Sequence, residues 1–268
     1  MPNSHTINLS YIMVTRNKLP YLQEALSILI AHKQKDEEIV VIDGASTDGT
    51  PFYLQELCER GDIDQYVSEP DKGQSHAINK GMLRARGGLL KIMNDDDTYY
   101  FEEIQKCKAF MLAHPEIDAL GSNGIQHDGK EYHREEDFMM WKTLPYHPFQ
   151  IAEQGMLLRR SSIPVFGLAD TASRFWEGDF TLRLTSGKAL LAWYTGITWK
   201  HVFNSDSVSV NSGQEWAIEA AALRRRYPGL FSKWRHLVPS PIRQLIRYFI
   251  PKKRLATSEQ INTPTFLF

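Results

Sequence analysis

The sequence predicts an α/β domain built on a mostly parallel sheet. Two observations carry this prediction: short apolar runs alternate with helical patterns through residues 1–122, and one of these runs, 89–93, leads directly into three consecutive aspartates. Strands that alternate with helices pair in parallel through right-handed crossovers. Ligands of such sheets bind beyond the carboxyl ends of the strands, so the aspartates fall where a site is expected.

The first half of the chain carries the clearer pattern. Its predicted elements, in chain order, are a strand at 9–14, a helix from about 20, a strand at 39–42, a helix from 50 to a stop at 61, a strand at 65–68, a helix at 74–86 and a strand at 89–93. Pro20 suits the first turn of a helix, and the apolar residues after it recur at helical spacing. Gly61 is typical of the position just past a helix end.

The second half is less regular. Its predicted elements are a helix at 102–114, strands at 117–122 and 154–160, a helix at 179–186, a strand at 189–194 and a helix at 214–227. The stretch 124–150 is polar, aromatic and interrupted by prolines, with no clean period. We therefore predict one domain over 1–235, with a first half at 1–122 and a variable, substrate-facing half at 123–235.

The segment 236–268 is predicted to be an appendage that contains an amphipathic helix at 240–250. Ser240 and Pro241 suit a helix start, an apolar stripe follows, and the basic run Lys252 to Arg254 comes directly after it. A helix with apolar, aromatic and basic residues binds anionic membrane surfaces. Docking on this domain or on a second subunit remains the alternative, and the oligomeric state stays open.

Composition excludes several classes of protein. The net charge of -1 gives no basic field for nucleic acid, and no apolar run is long enough to cross a membrane. The first ten residues lack the pattern of an export signal. The two cysteines, Cys58 and Cys107, fall in helical patterns and are expected to be unpaired thiols. We expect a cytoplasmic protein, with peripheral attachment to the inner face of the plasma membrane if the segment 240–254 binds lipid.

The acidic turn, defined as Asp95, Asp96 and Asp97, is the main candidate site. Burial of three like charges is prohibitive, so the turn must lie in an open crevice. Hard carboxylate oxygens suit Mg²⁺ or Mn²⁺, and such ions commonly hold a substrate phosphate. An acidic turn that caps the next helix is the alternative interpretation.

Three loops are expected at the same edge of the sheet: 14–19, 42–50 and the acidic turn. None contains the glycine pattern of a dinucleotide fold or a P-loop. They offer Asp43 and small hydroxyl residues near the sheet and acidic residues further along. This set suits a nucleoside diphosphate, with Asp43 accepting a hydrogen bond from the base or ribose.

The motifs VTRN, VVIDGASTDGT, SEPDKGQSHAINKG, NDDD and QGMLLRR…GLAD…WEGDF occur in this order between residues 9 and 209. Together they resemble a family 2 glycosyltransferase with the GT-A fold, which has a Rossmann-like nucleotide-binding sheet. The resemblance implies transfer of a sugar from a nucleotide-diphosphate sugar with inversion, assisted by Mn²⁺ or Mg²⁺. It also implies a glycan or lipid-linked acceptor, in the assembly of a bacterial surface polysaccharide or glycolipid.

The resemblance carries over site residues by position. Those implied to bind the donor are Thr15, Asn17, Asp43, Asp71, Lys72, Gly73, Asn79, Lys80 and Asp95. Those implied to bind the metal are Asp96 and Asp97, with His201 as a late histidine ligand whose alternative role is structural. Asn94, His76 and Gly88 depart from the family pattern, in which acidic residues are common at these positions.

The implied catalytic base is Asp179, chosen over Glu177 because Asp179 precedes the motif that resembles the family's DYxL. Capping of the helix is its alternative role. Trp176 is expected either to stack on a sugar or to lie in the core. Arg159 and Arg160 are expected to face an anionic acceptor or solvent.

Two other functions stay open. A nucleotidyltransferase shares an α/β domain with acidic turns, but no glycine-rich basic loop follows the first strand here. A catalytically silent nucleotide-sugar or glycan-binding module would keep the pocket and lack a placed base.

Overall fold

The computed structural model describes residues 6–127, 132–135, 151–173, 176–187, 189–203, 213–227 and 264–267. Its strands are β1 (Leu9–Thr15), β2 (Glu37–Asp43), β3 (Gln65–Ser68), β4 (Leu89–Asn94), β5 (Thr98–Tyr99), β6 (Ala119–His127), β7 (Tyr132–Glu135), β8 (Leu157–Arg159), β9 (Leu191–Lys200) and β10 (Phe266–Leu267). Its helices are α1 (Leu19–His32), α2 (Thr50–Arg60), α3 (Gln74–Arg84), α4 (Phe101–Ala113), α5 (Ile163–Phe166), α6 (Trp176–Ser186) and α7 (Gly213–Arg226).

The first half forms the parallel part of the sheet, in the order β4-β1-β2-β3. Val14 of β1 lies opposite Asn94 of β4, and Thr15 lies opposite Asp43 of β2. The three strands therefore end side by side, as the alternating pattern predicts. Their polar continuations share one edge of the sheet.

The second half is mixed rather than parallel. The short strand β8 lies between β4 and β6 and runs antiparallel to both, while β9 runs parallel to β6. The pairing of β6 with β9 shifts register on both sides of Asn123. The predicted fold class is confirmed, with parallel pairing throughout β1 to β4 and both parallel and antiparallel pairs in the second half.

The core lies on both faces of the sheet because successive side chains of a strand point to opposite faces. Tyr11 and Met13 of β1 pack with apolar residues of α1, α2 and α4. Ile12 and Val14 pack with α3 and α6 on the other face. The parallel half is thus a three-layer α/β/α arrangement, in which β1, β2 and β4 are buried on both sides and the edge strand β3 is partly exposed.

Several predicted boundaries need correction. Residues 124–127 belong to β6 and 132–135 form β7, so the stretch 124–150 is not irregular throughout. The predicted strand at 154–160 is a 3₁₀ turn, Glu153–Gly155, followed by the shorter β8. Strand β9 extends to Lys200, and α6 starts at Trp176. Asp179 consequently lies in the first turn of α6 rather than before the helix.

The predicted helix at 240–250, and its membrane contact through 240–254, lie outside the described residues. Nearer the end of the chain, Phe266 pairs with Tyr194 of β9 and stacks on Phe110 of α4 at a ring distance of 4.0 Å. Among the residues that the structure describes, no helix is both long and apolar enough to cross a bilayer. Cys58 and Cys107 are free thiols, as predicted.

Gly81 allows α3 to pack closely on the sheet. A Cβ atom at this position would collide with Cγ2 of Ile12 in β1. We expect Gly81→Ala to lower the free energy of unfolding by about 1–3 kcal/mol, because overpacking forces the backbone or the neighbouring side chain to shift. Denaturant unfolding measures this change. Gly88→Ala is the control, since a Cβ atom there would lie 3.7 Å from its nearest neighbour; equal stability of the two variants would contradict the prediction.

Candidate active site

The acidic turn follows β4 at the edge where β1 and β2 also end. Thr15, the last residue of β1, donates a hydrogen bond from Oγ1 to Oδ2 of Asp95 at 2.6 Å. Asp95 is 5% exposed and Asp97 is 8% exposed. Burial raises the pKa of Asp95 to about 6, although the ammonium group of Lys18 lies beside it. The turn is therefore more enclosed than the sequence suggests.

Lys18 supplies a positive charge to the acidic turn. Its Nζ atom lies 2.5 Å from Oδ2 of Asp96 and 3.6 Å from Oδ1 of Asp95. Burial by itself lowers the pKa of this ammonium group, but the charges of Asp95 and Asp96 raise it overall. Lys18 lies in the first predicted loop, yet the sequence alone did not select it as a site residue.

Asp97 is held by neutral donors. Its Oδ1 atom accepts a hydrogen bond from the backbone nitrogen of Val202 at 3.0 Å. Its Oδ2 atom accepts bonds from Nδ2 of Asn94 at 3.0 Å and Nε2 of Gln154 at 2.9 Å. Both oxygens are thus engaged, and the predicted role of Asp97 as a metal ligand stays a prediction.

The loop after β2 is ordered by Asp43, which is fully buried. Its carboxylate accepts hydrogen bonds from the backbone and hydroxyl of Ser46 and, at 2.6 Å, from the hydroxyl of Ser68. Asn17 ties the first loop to the second: its backbone nitrogen donates to Oγ of Ser46 at 2.7 Å, and its Oδ1 accepts from the nitrogen of Thr47 at 2.8 Å. The two loops predicted to bind the nucleotide are therefore in direct contact.

The loop before α3 lies against the same edge. Asp71 accepts a hydrogen bond from the nitrogen of Gly73 at 2.8 Å, and its carboxylate lies where a side chain on Gly44 would sit. Gly73 has φ +106°, a conformation that favours glycine. Lys72 is exposed, and its backbone nitrogen donates to Nδ1 of His76 at 3.2 Å. Asp71 thus brings the loop before α3 against the loop after β2.

Asn79 and Lys80 make structural contacts. Asn79 exchanges two 2.8 Å hydrogen bonds with the backbone of Ala169, and so fastens α3 to the loop that precedes α6. Lys80 donates to the carbonyl of Pro70 and pairs with Glu69, both at 3.0 Å. Their predicted contacts with the donor stay predictions.

A second group of carboxylates lies beside the acidic turn. Glu153 accepts hydrogen bonds from Nε1 of Trp176 at 2.8 Å and from Nε2 of Gln74 at 3.0 Å. Burial raises the pKa of Glu153. Burial, together with the charges of Glu153 and Glu219, raises the pKa of Glu177 to about 8. No local sequence pattern indicates Glu153, because only the fold brings it to α3 and α6.

Trp176 belongs to the core. It is fully buried and packs edge-on against Phe180 at a ring distance of 5.3 Å. Of the two roles expected for this aromatic, stacking on a sugar is therefore excluded in this conformation. Its indole nitrogen instead fixes the carboxylate of Glu153.

Asp179 lies one helical turn after Trp176 in α6 and has a different environment. It is 1% exposed, and its carboxylate accepts hydrogen bonds from Nε of Arg183 and the hydroxyl of Tyr227, both at 2.8 Å. Nη1 of Arg226 lies 3.0 Å from Oδ1 of the same carboxylate. These contacts join α6 to the end of α7. The prediction that Asp179 is the base stays a prediction, and its surroundings favour a structural role.

Arg159 and Arg160 both bind backbone carbonyls, and Arg160 is also exposed to solvent, one of the two positions expected for it. Arg159 donates to three backbone carbonyls at and just after the end of α4, among them that of Ile117 at 2.7 Å. Arg160 donates to the carbonyl of Gly87 at 2.9 Å. Both side chains fasten β8 to the first half of the domain.

A buried lysine holds the 3₁₀ turn that lies next to the acidic turn. Lys91 of β4 is 2% exposed and donates to the backbone carbonyls of Gln154 and Met156. Burial lowers its pKa to about 7. It holds the 3₁₀ turn from which Glu153 and Gln154 reach the acidic turn.

The donor set suits a divalent cation chemically. Asp95 and Asp96 present carboxylate oxygens, and Nδ1 of His201, a buried residue next to Val202, has no hydrogen-bond partner among the described residues. Among the described residues, however, no three His, Cys, Asp or Glu side chains lie close enough together to hold a metal ion. The turn is arranged around the ammonium group of Lys18 instead.

Solved structures share this fold. A mannosyltransferase from Pyrobaculum calidifontis, in complex with GDP-Man and Mn²⁺, has a TM-score of 0.59 at 19% identity, covering 81% of this chain and 62% of its own. The S. aureus TarS fragment 1–349, in complex with UDP-GlcNAc, has a TM-score of 0.55 at 16% identity, covering 75% and 60%. At these identities the likeness establishes the GT-A fold alone.

Curated proteins are related over part of the chain. A putative teichuronic acid biosynthesis glycosyltransferase of Bacillus subtilis is 27% identical over 107 residues, which cover 38% of this chain and 41% of that protein. The poly-beta-1,6-N-acetyl-D-glucosamine synthase of Staphylococcus epidermidis is 23% identical over 122 residues, covering 43% and 28%. The matches thus span less than half of either relative.

The family assignment rests on a longer match. The sequence model described as "Glycosyl transferase family 2" matches residues 10–167, which is more than half of the chain and includes the loops 14–19 and 42–50 and the acidic turn. The motif-based prediction is confirmed: this chain belongs to glycosyl transferase family 2.

Proposed function

We propose that this protein transfers a sugar from a nucleotide-diphosphate sugar to a glycan or lipid-linked acceptor, with inversion and with the assistance of a divalent cation. One observation carries the proposal: the loops after β1 and β2 and the acidic turn after β4 meet at one edge of the sheet. Such an edge is where α/β sheets bind nucleotides. A second carboxylate group, Glu153 and Glu177, lies beside that edge.

The first two loops suit the nucleoside. Asn17 and Ser46 join them through hydrogen bonds, and Asp43 lies beneath. Their backbone and hydroxyl groups supply the donors and acceptors that a base and ribose need. The complexes of structural neighbours with UDP-GlcNAc and with GDP-Man and Mn²⁺ support a nucleotide-sugar donor.

The acidic turn suits the diphosphate. Asp95, Asp96 and His201 are the residues that would hold Mn²⁺ or Mg²⁺, and the ion, when bound, offsets the charge of the leaving diphosphate. Thr15 and Lys18 orient the turn through their bonds to its carboxylates. The residues of this chain therefore hold the leaving group at the open edge of the sheet.

We propose Glu177, rather than Asp179, as the base that takes the proton of the acceptor hydroxyl. The carboxylate of Asp179 is already engaged by two guanidinium groups and a phenol, which join α6 to the end of α7. Within the described residues no lysine or arginine pairs with Glu177, and its pKa of about 8 is near the pH at which a base works best. Inverting transfer needs one such base on the acceptor side.

The acceptor proposal rests on relatives. Two curated proteins that match this chain are named for the synthesis of teichuronic acid and of poly-beta-1,6-N-acetyl-D-glucosamine. A growing chain of poly-beta-1,6-N-acetyl-D-glucosamine presents sugar hydroxyl groups. In this proposal the carboxylate of Glu177 deprotonates such a hydroxyl group.

A donor panel tests the reaction class. We expect release of nucleoside diphosphate from one of UDP-, GDP- or dTDP-sugars in the presence of Mn²⁺, measured by a coupled nucleotide assay. Asp96→Ala is expected to abolish metal-dependent nucleotide binding, because the turn loses the carboxylate nearest the open edge. Release of pyrophosphate would identify a nucleotidyltransferase, and binding without any turnover would identify a silent module.

Paired variants test the base. We expect Glu177→Gln to lower kcat by about 10²–10⁴-fold with nucleotide affinity unchanged, since general base catalysis contributes this much. Asp179→Asn is expected to retain kcat within a few-fold but to lower the melting temperature, because it weakens the link between α6 and α7. The reverse pattern would restore Asp179 as the base.

The environment of Glu177 is testable through stability alone. A carboxyl group whose pKa is about 8 in the folded state and near 4.3 when unfolded binds more protons when folded, so it makes the protein less stable as the pH rises through this interval. Glu177→Gln should therefore reduce the loss of melting temperature between pH 5 and pH 8.5. The exposed Glu24→Gln is the control, and parallel pH curves for wild type and Glu177→Gln would contradict the assignment.

A further inference from the structure

We propose that Lys18 is an internal counter-cation of the acidic turn, which a divalent cation must displace, and that the displaced ammonium group then binds the diphosphate of the donor. Binding of cation and nucleotide is thereby coupled through one side chain. The nucleotide half of this inference rests on the proposed function. The competition between Lys18 and a divalent cation does not rest on the proposed function.

The position of the ammonium group carries the argument. Nζ of Lys18 lies between Oδ2 of Asp96, at 2.5 Å, and Oδ1 of Asp95, at 3.6 Å. The second oxygen of Asp95 is already bonded to Thr15. Lys18 therefore occupies the carboxylate oxygens that the turn has left for a cation.

The remaining aspartate does not offer a separate place for the ion. Both oxygens of Asp97 accept hydrogen bonds from Val202, Asn94 and Gln154. The absence of any gathered ligand set in the described residues agrees with this arrangement. A cation that enters the turn must compete for Asp95 and Asp96.

The two cations exclude one another. Mg²⁺ binds oxygen at about 2.1 Å, so an ion on Oδ2 of Asp96 would lie no more than about 4.6 Å from the present Nζ position. Two positive charges at such a distance repel strongly in a partly buried site. Metal binding therefore requires Lys18 to leave, and the lost ion pairs weaken the affinity for metal.

Lys18 is free to move outward. Its side chain is 26% exposed, against 13% for Asp96, and it extends from the short loop between β1 and α1. A lysine ammonium is a mobile point charge on a flexible stem. Once displaced, the ammonium group is available to bind the diphosphate of a donor held at the same edge.

Mn²⁺ binding without nucleotide tests the competition. Electron paramagnetic resonance of free Mn²⁺ is recorded during titration of wild type, Lys18→Met and Lys33→Met. Lys33→Met is the matched control, because Lys33 pairs with Asp64 at 2.7 Å outside the acidic turn. We expect Lys18→Met to bind Mn²⁺ roughly tenfold more tightly than wild type, since charge-assisted contacts are lost from the competing state, and Lys33→Met to match wild type.

UDP and GDP then test the coupling. Mn²⁺ should strengthen binding of one of them in wild type by a larger factor than in Lys18→Met, because only wild type transfers an ammonium group to the diphosphate. Equal factors would overturn the coupling. Mn²⁺ affinity of Lys18→Met that is equal to or weaker than that of wild type would overturn the competition, as would no binding of Mn²⁺ by either protein.

A measurement on the wild-type chain avoids any folding defect of the variants. Acetic anhydride labels exposed lysine amines, and peptide mass spectrometry follows Lys18. We expect Mn²⁺ to accelerate labelling of Lys18 and Mn²⁺ with the binding nucleotide to suppress it; labelling unaffected by Mn²⁺ would overturn the proposal. None of these arms contains a donor sugar, so their failure is distinct from absence of transfer in the donor panel.

Discussion

The site depends on the parallel pairing of β1 with β4. Because Val14 lies opposite Asn94, the chain leaves both strands at the same level, and the loop after β1 meets the acidic turn. Thr15 and Lys18 contact the turn only through this pairing. Partly buried carboxylates are costly without a compensating charge or donor. Thr15 at the end of the neighbouring strand and Lys18 in the loop after it supply both, and so the fold buries part of an acidic turn that the sequence alone places in an open crevice.

The acceptor side shows how two carboxylates of one helix acquire different chemistry. Asp179 meets two guanidinium groups and a phenol, which hold α6 against α7. Glu177 instead lies near Glu153, where burial and like charge raise its pKa. A carboxyl group whose pKa is raised by burial and by a neighbouring carboxylate is typical of acid–base sites. The same turn of helix thus carries an anchor and a group suited to proton transfer.

Local sequence patterns predicted most of the parallel half, because its strands are continuous apolar runs bounded by turn residues; β3 was predicted with its observed bounds. The second half depends on long-range pairing, such as the insertion of β8 between β4 and β6, which no local period reveals. The site residues that the sequence predicted and those that it missed are divided in the same way. The loops were found by their motifs, whereas Lys18 meets Asp96 across 78 residues and Asp179 meets Tyr227 across 48.

Charge balance explains why such a turn would carry its own lysine. Three aspartates and one lysine leave a formal charge of -2, which one divalent cation neutralises. A cation that arrives alone costs the ammonium group of Lys18 its contacts with Asp95 and Asp96. A diphosphate that arrives with the cation gives Lys18 a new partner, so each ligand strengthens the binding of the other by the same factor. In this scheme the turn holds cation firmly only when a donor is present, and the cation is recruited together with the leaving group whose charge it offsets.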